Sequence, residues 1–436
     1  MGLRRLGNGT MGAVTAPARL LRPELLVVGA GPAGSAAAIH AARAGYAVLL
    51  VDAASFPRDK TCGDGLTPRA LSELRALGLA ERVTGGYTNR GLILHGFGNS
   101  VTAPWPDSSY GTVGSAMPRT LFDALLLTTA RAAGAEVWED SPAVDVTVER
   151  GRARSVGIMH GGETVKVYPR WIIVADGVRS PLGRKLGRQW HRGEVYGLAA
   201  RSYCASPRAD EPWIHSHLQL SDAAGTPQPG YGWIFPLGNG TVNLGAGALS
   251  TDRHPARVNT KKLLAHYAHT QRAGWQLGPE DGVASAALPM GGAVSNVAGA
   301  NWMLIGDAAA CVNPLNGEGI DYGMETARLA VGLLGGPELF YRAWPALLRE
   351  RYGQAFHLAR AAARVIAIPG FLPAAGNVGL RGPLGHRLLP AAARLMGNLI
   401  DDADADLLAR TWRLAGRAAA TLAHAQNRPL WDTQPY

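Results

Sequence analysis

Leu25-Leu-Val-Val28 runs directly into Gly29-Ala-Gly-Pro-Ala-Gly34, and this stretch decides how the chain folds. Four apolar residues followed by Gly-x-Gly-x-x-Gly read as a buried strand, a tight turn and the start of a helix. Small residues continue to Ala44, Gly45 stops the helix, and a second apolar run from Ala47 to Val51 ends in Asp52. The result is a βαβ unit. Gly29 permits the turn, Gly31 lets the backbone approach a pyrophosphate, and Gly34 lets helix and strand pack closely, with the positive helix N-terminus facing the phosphates. Asp52, at the tip of the next strand, is placed to accept ribose hydroxyls. A glycine-rich turn of the ordinary kind is the plain alternative. The strand before it, the helix after it and the acid beyond favour an adenine dinucleotide.

Working outward, Leu121 to Ala133 has helical spacing, and Trp171-Ile-Ile-Val-Ala175 is a buried-type strand running into Asp176-Gly177. Trp302-Met-Leu-Ile305 opens a second strand-turn-helix through Gly306-Asp307, with the helix near 319–334. Between 190 and 285 alternating segments punctuated by Gly and Pro suggest an antiparallel sheet, and beyond 340 the chain is Ala/Leu/Arg-rich with helical period. Gly306-Asp307-Ala308-Ala309 decides between the two common dinucleotides. An acid followed by small residues suits a ribityl chain or pyrophosphate, and the helix opening at Gly317-Glu-Gly319-Ile320 can aim its N-terminus at an isoalloxazine ring. FAD is therefore expected rather than NAD.

The composition agrees with a large globular core. The 436 residues are 47% hydrophobic and 17% charged, which allows two or three domains and leaves no case for bulk disorder. A formal charge of +10 favours anionic partners such as a bilayer surface or phosphorylated molecules. Three cysteines, Cys62, Cys204 and Cys311, with no CxxC spacing argue against a disulfide scaffold or Cys-rich zinc site and suit a reducing cytosol. Val365 to Leu380 is uncharged, but Pro369, Gly370, Pro373 and Gly376 break it, and no segment reads as a membrane span. Residues 1–24 carry Arg4 and Arg5 without a compact apolar core and read as an arm rather than a signal peptide.

The set Gly29-x-Gly31-x-x-Gly34, Asp176-Gly177 and Gly306-Asp307 resembles the glutathione-reductase-type FAD fold in its para-hydroxybenzoate hydroxylase-like branch. Asp59-Lys-Thr-Cys-Gly-Asp-Gly-Leu-Thr-Pro68, Arg179-Ser-Pro-Leu-Gly-Arg-Lys-Leu-Gly187, Tyr231-Gly-Trp233-Ile-Phe235-Pro236 and the run from Asn301 to Gly319 are similar to the geranylgeranyl reductase family of FAD-dependent oxidoreductases, from about 25 to 420. The resemblance implies an α/β fold: a Rossmann-like FAD domain from 25–85, 115–187 and 286–340, an antiparallel β substrate domain from 86–114 and 188–285, and a helical region over 341–436. It implies FAD contacts at Ala33, Asp52, Cys62, Gly63, Gly65, Arg119, Ala143, Asp307, Gly319 and Ile320, with Asp64 in the same loop. Asp52 stands where the family more often has Glu, keeping the acceptor on a shorter arm. The family's aromatic motif usually begins with Pro three residues before the Tyr; here Gln228 takes that place and Pro229 follows.

The activity implied is saturation of an isoprene double bond in the side chain of menaquinone by hydride transfer from reduced flavin, at the cytoplasmic face of the membrane. Cys62 is the candidate proton donor or a small residue filling a gap beside the ring. Tyr231, Trp233 and Phe235 alternate along a strand and share one face, so they can wall a tunnel or simply belong to the sheet core. Burying one isoprene unit is worth roughly 3–4 kcal/mol at about 0.8 kcal/mol per methylene-sized group, about what leaving a bilayer costs. Alternatives are reductases of other prenyl lipids or diphosphates, a flavin monooxygenase or halogenase, and a non-catalytic lipid-binding flavoprotein. His215-x-His217 and His266-x-x-His269 lack a spaced third ligand, so no metal is expected. Nothing supports nucleic-acid binding, and the electron donor is not legible. Arg184, Lys185, Arg188, His191 and Arg192 form a basic cluster suited to head groups or solvent, and Phe371, Leu372, Leu380, Leu388 and Leu389 near Arg381 and Arg387 are a candidate bilayer contact.

Overall fold

The computed structural model describes residues 21–191, 193–368, 370–372, 374–376, 391, 394–395, 399–400, 404–425 and 430–431. Strands Leu25–Val28, Val48–Val51 and Trp171–Val174 are buried along their whole length. Runs with no polar face must be covered on both sides, the condition a parallel sheet meets. They form a five-stranded parallel sheet in the order Trp302–Leu304, Trp171–Val174, Leu25–Val28, Val48–Val51, Glu136–Trp138. Helix Pro32–Arg43 starts on a proline, whose missing N–H costs nothing at that position. It packs against helices Arg119–Ala132 and Ile320–Gly332. A three-stranded meander, Ala143–Glu149, Arg152–His160 and Glu163–Val167, adds Val156 and Ile158 to the same core.

The second sheet has seven strands in the order Asp281–Pro289, Tyr196–Ala205, Thr241–Ser250, Gly230–Pro236, Ile214–His217, Gly91–Gly96, Asn99–Pro104. All neighbours are antiparallel except Ile214–His217 and Gly91–Gly96, which run parallel. Helix Thr260–Trp275 covers one face through Leu263, Leu264 and Tyr267 against Ile234, Leu244 and Cys204. The fit is close enough that a Cβ on Gly232 would lie 2.4 Å from the Tyr267 ring. The opposite face, carrying Leu198, Trp233 and Phe235, turns toward the parallel sheet and walls the cleft between them.

The C-terminal region is built on helix Phe340–Ile366, against which helix Leu407–Ala425 packs, with Gly416 over Gln354. Trp344 donates to the carbonyl of Leu304 at 2.8 Å, and the fully buried Trp431 donates to that of Ala309 at 2.7 Å. The chain's last described residue thus braces the Gly306–Ala309 turn from behind.

A buried ionic lock ties three helices together. Arg69, on helix Pro68–Ala76, is paired with Glu325, and its Nε lies 3.4 Å from Asp321, both on helix Ile320–Gly332. Arg351 of the long helix adds a 2.9 Å contact to Glu325. Burial opposes the Glu325 charge, but the two guanidiniums overcome it and hold the carboxyl at about 2. A depressed carboxyl stabilises the fold above its unfolded value and loses that contribution as pH falls toward the folded one. Stability is therefore expected to decline between about pH 4.5 and 2 on this account, and less so in Glu325→Gln. Leaving Arg69 buried without that charge should cost about 3–5 kcal/mol at neutral pH, read by urea unfolding of the holoprotein.

Candidate active site

The glycines of the first turn have separate duties. Gly29 has φ +100°, and a Cβ there would sit 2.3 Å from the Ala175 carbonyl oxygen; at Gly34 it would sit 1.7 Å from that of Gly29. Both positions are closed by the protein's own backbone. At Gly31 a Cβ would enter the cleft, with only the Arg58 and Arg119 guanidiniums near, at 3.6 and 4.0 Å. The Asp52 carboxylate accepts the Ala30 N–H at 2.6 Å and the Ala54 N–H at 2.8 Å, which aims it along the cleft edge that Ser141 and Ala143 continue.

Arg119 begins its helix as expected, but its Nε and Nη2 are engaged by Asp123 at 2.6 and 2.7 Å. Arg58 joins the same fully buried carboxylate at 2.9 Å. Asp123 thus orients two guanidiniums beside the glycine turn, a pair the sequence reading missed. The Arg-x-x-x-Asp spacing opening a helix was the available signal. Asp307 borders the cleft farther along, with burial raising its carboxyl against Lys60, Arg119 and Arg188. Gly319 lies close against Asp307, where a Cβ would come 3.2 Å from Oδ1. Asp176 accepts from Ser180 Oγ at 2.5 Å and from the N–H of Leu182 at 2.8 Å. Arg188, read from sequence as part of a basic surface cluster, is instead buried and donates to the Ala308 carbonyl at 2.6 Å. Desolvation lowers the guanidinium to about 10, and that hydrogen bond with the charges of Asp176 and Asp307 offsets the cost of burying it.

The Cys62 loop is held by the other sheet. Arg201, fully buried, pairs with Asp59 and donates to the Lys60 carbonyl at 3.1 Å. Tyr203 donates to Asp64 Oδ2 at 2.7 Å, and Asn243 Nδ2 donates to the same oxygen at 2.9 Å and to the Cys62 carbonyl at 2.8 Å. Asn243 in turn accepts from Trp233 Nε1 at 2.9 Å. Gly63 and Gly65 lie on Phe235, where a Cβ would meet the ring at 3.0 and 2.9 Å. Burial pushes the Cys62 thiol up, with Asp64 adding to the effect and Arg119 opposing it. Burial raises Asp64 to about 6, against hydrogen bonds from Tyr203 and Asn243 and the charges of Arg119 and Arg201.

Tyr231, Trp233 and Phe235 all border the cleft, as their alternation requires, with Leu198, Ile214, Leu249 and Leu288 completing an apolar wall. The Trp233 ring occupies the space over Gly245, where a Cβ would be 1.9 Å away. Tyr231 donates to the Asn316 carbonyl at 2.6 Å, joining the aromatic strand to the turn that carries Gly319. Gln228 makes a turn with Asp222 and Thr226 before Pro229, so the motif enters its strand without the usual proline. His215 and His217 lie on the opposite face, where the structure supplies a third imidazole: His95 stacks between them and shares a 2.8 Å hydrogen bond with His215. Glu211, Ser100 and Tyr267 satisfy the set. Among the described residues no group of His, Cys, Asp or Glu is arranged to hold a metal ion.

The cleft has a volume of about 540 Å³ and runs from Asp52 past Cys62 to the apolar wall. Two buried acceptors on its border, Asp64 Oδ1 and Glu318 Oε1, have no hydrogen-bond partner within the protein. With the open space over Gly31 and the backbone N–H groups at the start of helix Ile320–Gly332, they fit a polar dinucleotide. Residues 22–336 match the family model described as an FAD binding domain. The chain is 52% identical over 402 residues to menaquinone reductase of Mycolicibacterium smegmatis, covering 91% of this chain and 97% of that one. The chain belongs to the geranylgeranyl reductase family of FAD-dependent oxidoreductases, in its menaquinone reductase branch.

The family includes menaquinone reductase of Mycobacterium tuberculosis, 51% identical over 90% of this chain and 95% of that one. It also includes the more distant digeranylgeranylglycerophospholipid reductase of Thermoplasma acidophilum, 29% identical over 68% and 74%. Among solved structures, a geranylgeranyl bacteriochlorophyll reductase-like protein from Thermoplasma acidophilum superposes with a TM-score of 0.72 at 23% identity, covering 87% of this chain and all of that one. A flavin-dependent brominase superposes at 0.69 and 20% identity over 93% and 99%, a likeness of fold alone. FAD is the cofactor of this geranylgeranyl reductase family member, and it supplies a two-electron, hydride-donating centre when reduced. Gly34→Ala is expected to disrupt the fold, since its Cβ meets backbone. Gly31→Ala is expected to fold with near-normal thermal unfolding yet hold FAD at least about tenfold more weakly, measured by the flavin-to-protein absorbance ratio after dialysis.

Proposed function

We propose that this chain saturates an isoprene double bond in the side chain of menaquinone, with the electrons coming from reduced FAD. The observation that carries the reading is the change in the cleft's lining, from glycine and charged groups at one end to Tyr231, Trp233 and Phe235 at the other, with Cys62 between. The likeness to two mycobacterial menaquinone reductases over nearly their whole length supports the substrate.

In this reading Gly29, Gly31, Ala33, Gly34 and Asp52 hold the adenine-ribose-pyrophosphate half with Arg119 and Ala143. Cys62, Gly63, Asp64, Gly65, Asp307, Gly319 and Ile320 surround the flavin half. Tyr231, Trp233 and Phe235 hold the prenyl chain. An isolated trisubstituted alkene has no carbonyl to polarise it, so proton delivery must lead or keep pace, and carbon develops positive charge. Aromatic faces tolerate that charge, and the apolar wall excludes water that would capture it. The raised Cys62 thiol is protonated at neutral pH and is the proton donor beside the row. The three-part cofactor unit and two-part substrate unit read from the sequence are the working division of labour.

Because a membrane holds isoprene units about as well as an apolar tunnel does, the enzyme works at a lipid surface, on the cytoplasmic face. No helix among the described residues is long and apolar enough to cross a membrane. Helix Leu407–Ala425 offers the contact: Leu407, Leu414 and Leu422 are 78%, 71% and 63% exposed, with Arg410 and Arg417 exposed beside them. Of the stretch singled out earlier, Phe371 is 38% exposed, while Leu380, Arg381, Arg387, Leu388 and Leu389 lie outside the described residues.

Reduced enzyme incubated anaerobically with menaquinone should give a product heavier by two hydrogens on mass spectrometry; an unchanged quinone would count against the assignment, and an added oxygen would favour hydroxylation. Pelleting with phosphatidylglycerol vesicles should exceed pelleting with phosphatidylcholine, and Leu414→Ser with Leu422→Ser should lower the bound fraction about threefold or more.

A further inference from the structure

Asp64 is the one residue of the Cys62 loop whose side chain is fully buried yet half-satisfied. Its Oδ2 takes both available donors, Tyr203 and Asn243, while Oδ1 on the cleft border takes none. Its backbone sits at φ +63°, a left-handed conformation an Asp adopts only at some cost, and that conformation points the Asp64 N–H at Cys62 Sγ, 3.4 Å away. The same Asn243 that grips the carboxylate grips the Cys62 carbonyl. Carboxyl and thiol are therefore fixed on one rigid frame, and the frame belongs to the seven-stranded sheet rather than to the loop.

We propose that Asp64 is the positioning residue that keeps Cys62 a neutral thiol and returns its proton once that proton has been spent. The inference rests on the reading of Cys62 as proton donor. In one turnover the alkene would gain a hydride, with its electron pair, from the reduced flavin, which would thereby be oxidised by two electrons, and a proton from Cys62 Sγ; the carbon–carbon π bond, the flavin N–H bond and the S–H bond break and two C–H bonds form. The Asp64 carboxylate then takes a proton from water and passes it to the thiolate left behind, which returns both groups to their starting states, so the sum is alkene, hydride and one solvent proton to alkane. A carboxylate facing the thiolate opposes its formation, and a carboxyl facing it quenches it. The groups that face Asp64 are Cys62 on its own loop, Arg119 from the helix start, and Arg201, Tyr203 and Asn243 from the sheet, with Asp59 neutralising Arg201 from outside. Arg119 pulls the thiol toward ionisation, so the carboxylate is what holds it back.

The test is the rate at which iodoacetamide alkylates Cys62 in the FAD-loaded protein as a function of pH, followed by mass spectrometry of the Cys62 peptide. Cys204 and Cys311 are buried and serve as internal controls. Asp64→Asn preserves shape, suits a left-handed backbone and removes only the charge; alkylation near pH 8 should rise about tenfold as the thiol's midpoint falls by about one unit. Asp64→Glu should restore the slow wild-type profile. Tyr203→Phe, which leaves Asp64 protonated more of the time, should raise the rate about threefold, and decides the matter alone if Asp64→Asn does not fold. An unchanged profile in Asp64→Asn, or in Tyr203→Phe where Asp64→Asn does not fold, would overturn the proposal. The measurement needs no prenyl substrate, so that result would leave menaquinone turnover standing, whereas failure of turnover in wild-type protein would strike the functional reading and leave the thiol titration intact.

Discussion

The structure depends on a clamp between its two sheets. The loop that carries Cys62 follows the first βαβ unit in sequence, but nearly all that fixes it comes from the seven-stranded sheet: Arg201 on Asp59 and Lys60, Tyr203 and Asn243 on Asp64, Phe235 under Gly63 and Gly65. Arg201, Asn243 and Asp64 are fully buried, where an unmade hydrogen bond costs far more than it would at a surface. The loop therefore cannot drift without exposing several unsatisfied groups at once. The Cys62 loop and the aromatic wall of the cleft are held in one relation by that penalty.

The same logic recurs at the far end of the cleft. Arg188, Trp344 and Trp431 donate to the carbonyls of Ala308, Leu304 and Ala309, so the turn bearing Asp307 is held by one residue that follows helix Pro181–Lys185 and two from the C-terminal region. Tyr231 reaches across to Asn316 and joins the aromatic strand to the following helix start. Polar groups line the cleft around Asp52 and Asp307 and apolar ones its Tyr231–Phe235 wall, the division on which the proposed chemistry rests.

The cofactor unit was legible because its requirements are local. Gly29 is demanded by the positive φ of its turn and Gly34 by the Gly29 carbonyl within the same βαβ unit, and strands such as Leu25–Val28 announce burial by having no polar face. The alternation of Tyr231, Trp233 and Phe235 likewise follows from strand geometry alone. The joining of Arg58 to Asp123, the burial of Arg188 and the third histidine at His95 were not legible, because each joins residues that spacing along the chain does not pair.

By itself the sequence determined the glycine turn of an FAD-binding unit, a strand with one aromatic face and a family resemblance dense enough to imply the reaction, and it raised Asp307 as a candidate FAD contact. Tertiary structure alone decided that Asp64 is locked to Tyr203 and Asn243, that Asp123 orients two arginines, and that the C-terminal Trp431 supports the cofactor turn. The physical reason is range. Turn strain and strand alternation act between neighbours in the chain, whereas desolvation and hydrogen-bond satisfaction are settled only when distant segments share one interior.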